Sequence, residues 1–389
     1  MKPGKPKPVI LISVTLFTLL CCTSGAWSGL GYAAGGVSAG EAAGFMNQPI
    51  LSSFSLPVSS ELPGLFPLWK QLDFSSFPPA RFGFSLTLNP VNEVALLFGG
   101  LSSTLGWLND LWMTDGFGWT QFQTSHSPDP RDGASLIYDT ARREAVLFGG
   151  FNGYILFGDT WVFDGVEWIL KNPSHSPIPR VDACMAYDRD RNLMILFGGL
   201  GDTGGNDWEA LDDMWVWDGM DWQQQFPTHR PSARFGANMA YDPSRHMMIL
   251  FGGGVGGGLL NDTWFWDGND WIEQQPLHRP PVRANFGMTY DENKQALVIY
   301  GGQGGPYNLT DTWQWDDIDW LQIPTMQQPP DRLSYRASLV YLPAYQTVML
   351  LNDYRVKHID IDSHMVFSEH LEAWLLRYQY LNFLPDIFH

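Results

Sequence analysis

Glu144-Ala145-Val146-Leu147-Phe148-Gly149-Gly150 sets an apolar run against a double glycine, and four more copies of that arrangement occur in the chain. They end at Phe98-Gly99-Gly100, Phe197-Gly198-Gly199, Phe251-Gly252-Gly253 and Tyr300-Gly301-Gly302, with successive first glycines 50, 49, 54 and 49 residues apart. Self-similarity at such a period means that one supersecondary unit is used over and over. Further residues keep step. After each double glycine comes an Asp-x-Trp, at Asp110, Asp159, Asp213, Asp262 and Asp311. Nine residues beyond each aspartate stands another tryptophan, Trp119, Trp168, Trp222, Trp271 or Trp320, and twelve beyond that an arginine, Arg131, Arg180, Arg234, Arg283 or Arg332. Trp69 precedes Arg81 by the same twelve residues. The first five arginines, from Arg81 to Arg283, each stand eighteen residues before a double glycine; Arg332 does not.

Constant spacings with one elastic interval separate connections fixed by packing from those that are free. In the third unit the stretches 183–187, 193–197, 214–217 and 222–224 are short, apolar or aromatic, and divided by turn formers, as strands are. Asp115-Gly116, Asp164-Gly165, Asp218-Gly219 and Asp267-Gly268 join the third stretch to the fourth, a strong hairpin signal; the fifth unit has Asp316-Asp317 there. The unit reads as a four-stranded antiparallel meander, strands a to d, repeated around an axis as the blades of a propeller.

On these residues the chain resembles the kelch family: a Gly-Gly after strand b, paired tryptophans in strands c and d, and a period near the ~50 residues of kelch. The resemblance covers residues 69–353. Trp217-Asp218, Trp266-Asp267 and Trp315-Asp316 look similar to a WD40 signature, but no Gly-His precedes them and the period is too long. Counting strands gives an all-β, six-bladed kelch-like β-propeller expected to be closed by pairing of its N- and C-terminal strands. Residues 65–72 then supply a strand d without a, b or c ahead of it. Residues 337–341 and 348–351 supply a and b of the same blade, with 355–361 expected as strand c, so that the propeller spans 65–361. Pairing the two ends leaves no open sheet edge. Residues 362–389 are expected to form a C-terminal tail with a short helix, because Leu371, Trp374, Leu375 and Tyr378 fall at helical spacing.

Lys2, Lys5 and Lys7 ahead of an apolar run to Cys22, with Ser24-Gly25-Ala26 after it, predict a signal peptide over 1–26; an uncleaved anchor is the alternative. A flexible Gly/Ala/Ser-rich linker is expected over 27–64. The mature chain would be secreted, periplasmic or at the cell surface, touching a membrane only if the leader stays. Of three cysteines only Cys184 would survive cleavage, which leaves no internal disulfide. The formal net charge of −18 falls to −21 without the three leader lysines, a surface that repels phosphate backbones, so nucleic acid is not an expected partner.

All length variation falls in the b-c connections, and variable loops on a rigid scaffold are where binding resides. The candidate ligand-binding residues are therefore Trp107, Asn152, Tyr154, Asp202, Asn206, Asp207, Trp208, Glu209, Gln303 and Tyr307, with a glycine-rich segment at 252–258. Aromatic rings with amides and carboxylates suit a protein or glycan ligand. The acidic 201–212 segment could supply oxygen ligands to calcium but does not follow an EF-hand order, and no metal or other cofactor is expected. Arg81, Arg131, Arg180, Arg234 and Arg283 are read as structural partners of Asp110, Asp159, Asp213, Asp262 and Asp311, since arginine forks pair with carboxylates. His126, His175, His229 and His278, each five residues before its arginine, read as consensus loop residues that could make binding respond to pH.

Hydrolase, zinc-protease and phosphate-loop motifs are missing, as is the Tyr-His pair of the radical copper oxidases among kelch proteins. The reading is a monomeric, non-catalytic protein- or glycan-binding module. The alternative is a sugar mutarotase or isomerase, implied by similarity to the exported six-bladed sialic acid mutarotase and needing acid-base groups at the channel mouth.

Overall fold

The computed structural model describes residues 65–74, 76–205, 207–329, 337–359 and 365–380. The expected leader and linker, Asn206 and Arg332 lie outside them. The described residues form six four-stranded antiparallel sheets and one small three-stranded sheet. In strand order a to d, blade 1 is Ser85–Asn89, Val94–Ser102, Gly106–Thr114 and Trp119–Phe122. Blade 2 is Ser135–Asp139, Glu144–Phe148, Thr160–Phe163 and Trp168–Lys171. Blade 3 is Cys184–Asp188, Leu193–Phe197, Met214–Trp217 and Trp222–Gln225. Blade 4 is Asn238–Asp242, Met247–Val255, Gly258–Trp266 and Trp271–Gln274. Blade 5 is Gly287–Asp291, Ala296–Tyr300, Thr312–Trp315 and Trp320–Ile323. Each strand a touches strand a of the next blade, and the sixth touches the first, so the inner strands encircle one axis.

Blade 6 joins the two ends of the described chain. Its strands are Ala337–Leu342, Thr347–Ile359 and Met365–Tyr380, with Leu65–Leu72 as strand d against the last of these, Leu65 opposite Tyr380 and Leu72 opposite Ala373. Two expectations fail here. Residues 355–359 continue strand b instead of forming strand c, and the segment expected to be a helical tail is strand c itself, so the propeller runs to Tyr380. Ala373, Trp374, Leu375 and Leu376 are all buried, and a strand covered on both faces shows no alternation by which to tell it from a helix. Glu372-Ala373-Trp374 stands where the other blades carry Asp-x-Trp, and the Trp374 indole N–H donates to the Glu372 carboxylate at 3.2 Å.

The double glycine is a close approach between blades. Gly149 has φ +74°, and a Cβ there would sit 2.5 Å from the Arg180 carbonyl oxygen; the same oxygen accepts the Gly150 N–H at 2.8 Å. Gly99, Gly198 and Gly252 meet the carbonyls of Arg131, Arg234 and Arg283 in the same way. The Asp-Gly turns differ from the expected tight hairpin: Thr114 pairs with Trp119 and Phe163 with Trp168, leaving four-residue loops. Only their glycine has positive φ, and the aspartate side chain accepts the N–H groups two and three residues on, as Asp164 does from Val166 and Glu167 at 2.8 Å. Asp317 takes the glycine's place in blade 5 at φ +95°.

Packing is mostly between blades. Trp168 of blade 2 lies in one apolar cluster with Phe98 and Leu111 of blade 1, and Trp271 of blade 4 with Phe197 and Met214 of blade 3. No described helix is long and apolar enough to cross a membrane.

Candidate functional site

The b-c connections are shaped by the same close approach. In each of the first five blades the chain beyond the double glycine folds back as a short antiparallel pair and also bridges to the residues leading into strand a. In blade 3 this is the small sheet of Arg180–Val181, Leu200–Gly201 and Glu209–Ala210. The 252–258 segment, read from sequence as a loop, is the end of a hairpin in which Gly253 faces Leu260 and Val255 faces Gly258. Blade 1 carries an equal hairpin with Leu101 opposite Trp107.

Three of these connections meet. The Trp107 ring of blade 1 packs edge-on against Phe151 of blade 2, with centroids 6.4 Å apart, and lies 6.5 Å from Tyr154. Phe151 in turn meets Trp208 of blade 3 edge-on at 4.8 Å. Gly153 admits the Trp107 ring: a Cβ there would lie 2.2 Å from it. The Trp107 indole N–H donates to Asp132 at 3.2 Å. Asn152 holds the turn by accepting the N–H groups of Tyr154 and Ile155 at 3.1 and 3.0 Å. The result is an aromatic ridge across blades 1 to 3 with Phe151 buried at its base and Trp107 and Trp208 half-buried, from which Leu105, Tyr154 and Ile155 project, 60%, 75% and 54% exposed.

The expected residues thus divide. Trp107, Tyr154 and Trp208 build the ridge and Asn152 shapes it. Asp202, Asp207 and Glu209 are exposed beside Trp208; Asp202 accepts the Gly204 N–H at 2.8 Å and Glu209 the Thr203 hydroxyl at 2.8 Å. Gln303 and Tyr307 belong to the blade 5 connection, where the Gln303 backbone bridges Ala284 and Asn308 and Tyr307 projects. Phe151, which joins all three connections, was missed, as were Leu105 and Ile155. Its signal was faint: an aromatic directly after a double glycine, where the other blades have Leu101, Leu200, Gly254 and Gln303.

The arginine–aspartate pairs hold this face in place. Arg131 forks onto Asp159 at 2.6 and 3.0 Å and donates to the Gly149 carbonyl at 3.1 Å, all within blade 2. Its own backbone accepts from Gly100 at 2.8 Å and donates to Leu108 at 3.0 Å, both in blade 1. Arg180–Asp213, Arg234–Asp262 and Arg283–Asp311 repeat the fork at 2.6 to 2.9 Å, and Arg81–Asp110 completes the set. Burial opposes ionisation of Asp110, Asp213 and Asp262, yet the guanidinium beside each holds its carboxyl below the usual carboxylate range.

His175, His229 and His278 each donate a backbone N–H, and join through Nδ1, to Asp221, Asp270 and Asp319 in the next blade, at 2.6 to 2.8 Å. His126 instead donates its N–H to Glu167 at 3.3 Å. Among the described residues no three His, Cys, Asp or Glu side chains converge as metal ligands. Burial pushes the Cys184 thiol up to about 12, and its Sγ lies 3.3 Å from the Phe197 carbonyl.

The axis holds a channel of ≈ 290 Å³ lined by strand a of every blade. Arg189 and Glu292, from the a-b turns of blades 3 and 5, line it and pair at 2.6 Å. Tyr138, Tyr187, Tyr241, Tyr290 and Tyr341 also line it, and burial raises the pKa of each. The Tyr187 hydroxyl is tied to Asn192 at 3.1 Å and to the Ala141 N–H at 3.2 Å.

A search among curated proteins returns no match for this chain. Residues 67–224 match a family model described as the KLHDC2/KLHL20/DRC7 Kelch-repeats domain, a span that runs from within the Leu65–Leu72 strand to the last strand of blade 3. Residues 67–224 are thus similar to a kelch-repeat domain, and the same residues recur at the same spacings through blades 4 and 5, which supports a kelch-repeat reading of the propeller.

Proposed function

We propose that this chain is an exported, non-catalytic propeller that binds a protein segment across the b-c connections of blades 1 to 3. A kelch-repeat domain is a propeller module for protein binding, and the observation that carries the choice of face is the aromatic ridge of Trp107, Phe151, Tyr154 and Trp208. Clustered aromatic and aliphatic groups exposed on a rigid support are the usual anchors of interfaces. Phe151 meets Trp107 and Trp208 edge to face and Tyr154 is tilted by 51° to Trp107, so the rings present crevices for side chains more than the flat platform on which a sugar ring stacks. A glycan ligand is the reading this choice sets aside. Export rests on the leader-like residues 1–26, and amino-terminal sequencing of the exported chain should begin at Trp27.

The test is to pan a random peptide library and a glycan array against the intact chain, its Trp208→Ala and Tyr154→Ala variants, and a Met220→Ala control on a c-d turn. Peptides held by the intact chain and the control but lost by both ridge variants are the expected result. Glycans alone, or peptides held equally by all variants, would overturn it.

A further inference from the structure

Resting on that reading, we propose that the partner segment is cationic, carrying lysine or arginine beside a bulky apolar residue. From the first glycine of each pair to the following aspartate, the b-c connections are 99–110, 149–159, 198–213, 252–262 and 301–311. None of these five stretches contains a lysine, arginine or histidine. Their carboxylates are of three kinds, one of which is Asp212 alone, paired at 3.1 Å with Arg230 from outside the stretch. Asp110, Asp159, Asp213, Asp262 and Asp311 are each neutralised by a buried arginine and offer an incoming charge little. Asp202, Asp207 and Glu209 are exposed, and among the described residues no cation pairs with them.

Two of those three flank Trp208, whose ring packs on Phe151 at the centre of the ridge. Apolar anchor and unpaired negative charge therefore occupy one place. A peptide side chain such as leucine or tryptophan would enter beside Tyr154 and Ile155, while a neighbouring ammonium or guanidinium reaches Asp207, Glu209 or an aromatic face. An acidic segment would meet uncompensated like charge on a chain of net charge −18.

The test uses three fluorescein-labelled peptides of one length with a single central tryptophan, flanked by arginine, serine or glutamate, titrated by anisotropy into the full chain at two salt concentrations. The arginine peptide should bind about tenfold tighter than the serine peptide at low salt, and the advantage should shrink as salt rises. The pair Asp207→Asn and Glu209→Gln should abolish most of that advantage and leave the serine peptide unchanged. A charge-matched control, Glu93→Gln with Glu273→Gln, lies on an a-b turn and an outer strand and should not. If all three peptides bind equally and lose binding in Trp208→Ala, the charge preference is wrong and the binding face stands. An advantage that falls equally in both double variants also overturns it, since only net charge is then felt. If no peptide loses binding in Trp208→Ala, the face itself is wrong.

Discussion

The indole N–H of Trp320 in blade 5 donates to the hydroxyl of Thr263 in blade 4 at 2.9 Å. Trp222 finds Thr160, and Trp69 finds Thr312, in the same relation across two other blade boundaries. The threonine is the middle residue of Asp-Thr-Trp. Where that residue is Leu111, Met214 or Ala373, the facing indoles of Trp168, Trp271 and Trp119 are buried with no hydrogen-bond partner among the described residues. A single position thus decides whether each boundary is satisfied.

Thr263→Val keeps shape and removes the acceptor, and should cost about 1–3 kcal/mol because a buried donor is left unmade. Ala373→Thr supplies the acceptor that Trp119 lacks and should stabilise by about 1 kcal/mol. Urea unfolding of both variants checks the pair, and a destabilised Ala373→Thr would show that this boundary has no room for the hydroxyl.

Arg131 is fully buried and its guanidinium serves Asp159, Gly149 and Asp129 at once. Arg131→Ala strands a carboxylate and two carbonyls and should cost about 3–5 kcal/mol. Asp159→Asn keeps part of the hydrogen bonding and should cost less. The order of the two unfolding midpoints is the observable.

Gly149→Ala forces a Cβ against the Arg180 carbonyl at positive φ and should destabilise strongly or prevent folding. Gly118→Ala has open space and ordinary φ and should be near neutral. Equal melting temperatures for the two would remove the close approach as the reason for the double glycine.

Asp110, Asp213 and Asp262 have lowered carboxyl pKa values in the folded chain, so their pairing stabilises above the unfolded value of about 3.9 and is lost as pH falls through the lower folded values. The contribution of these three pairs should be level above about pH 5 and decline below about pH 4, so that the loss of stability on acidification is less steep in Asp262→Asn, which has no carboxyl to titrate there. Denaturant unfolding at stepped pH tests the sign.

Blades 1 to 5 were legible from sequence because every repeat shows the same glycines, aspartates and tryptophans, each tied to a contact that only that residue type makes. Strand c of blade 6 was not. Glu372 replaces the aspartate, and its partner strand d lies at the other end of the chain, so no tryptophan follows at the repeat distance. The ridge was legible in part: Trp107, Tyr154 and Trp208 stand out as aromatics in variable connections. Phe151 did not, since its importance comes from three connections converging, which spacing along the chain does not report.

Hydrogen–deuterium exchange of the full chain, with and without the tightest peptide selected on it, tests the binding face most directly. Protection should appear over 100–108, 151–156 and 200–210, with none in the turns at 115–118, 164–167 and 218–221. Protection confined to those turns, or to the outer strands, would contradict the account.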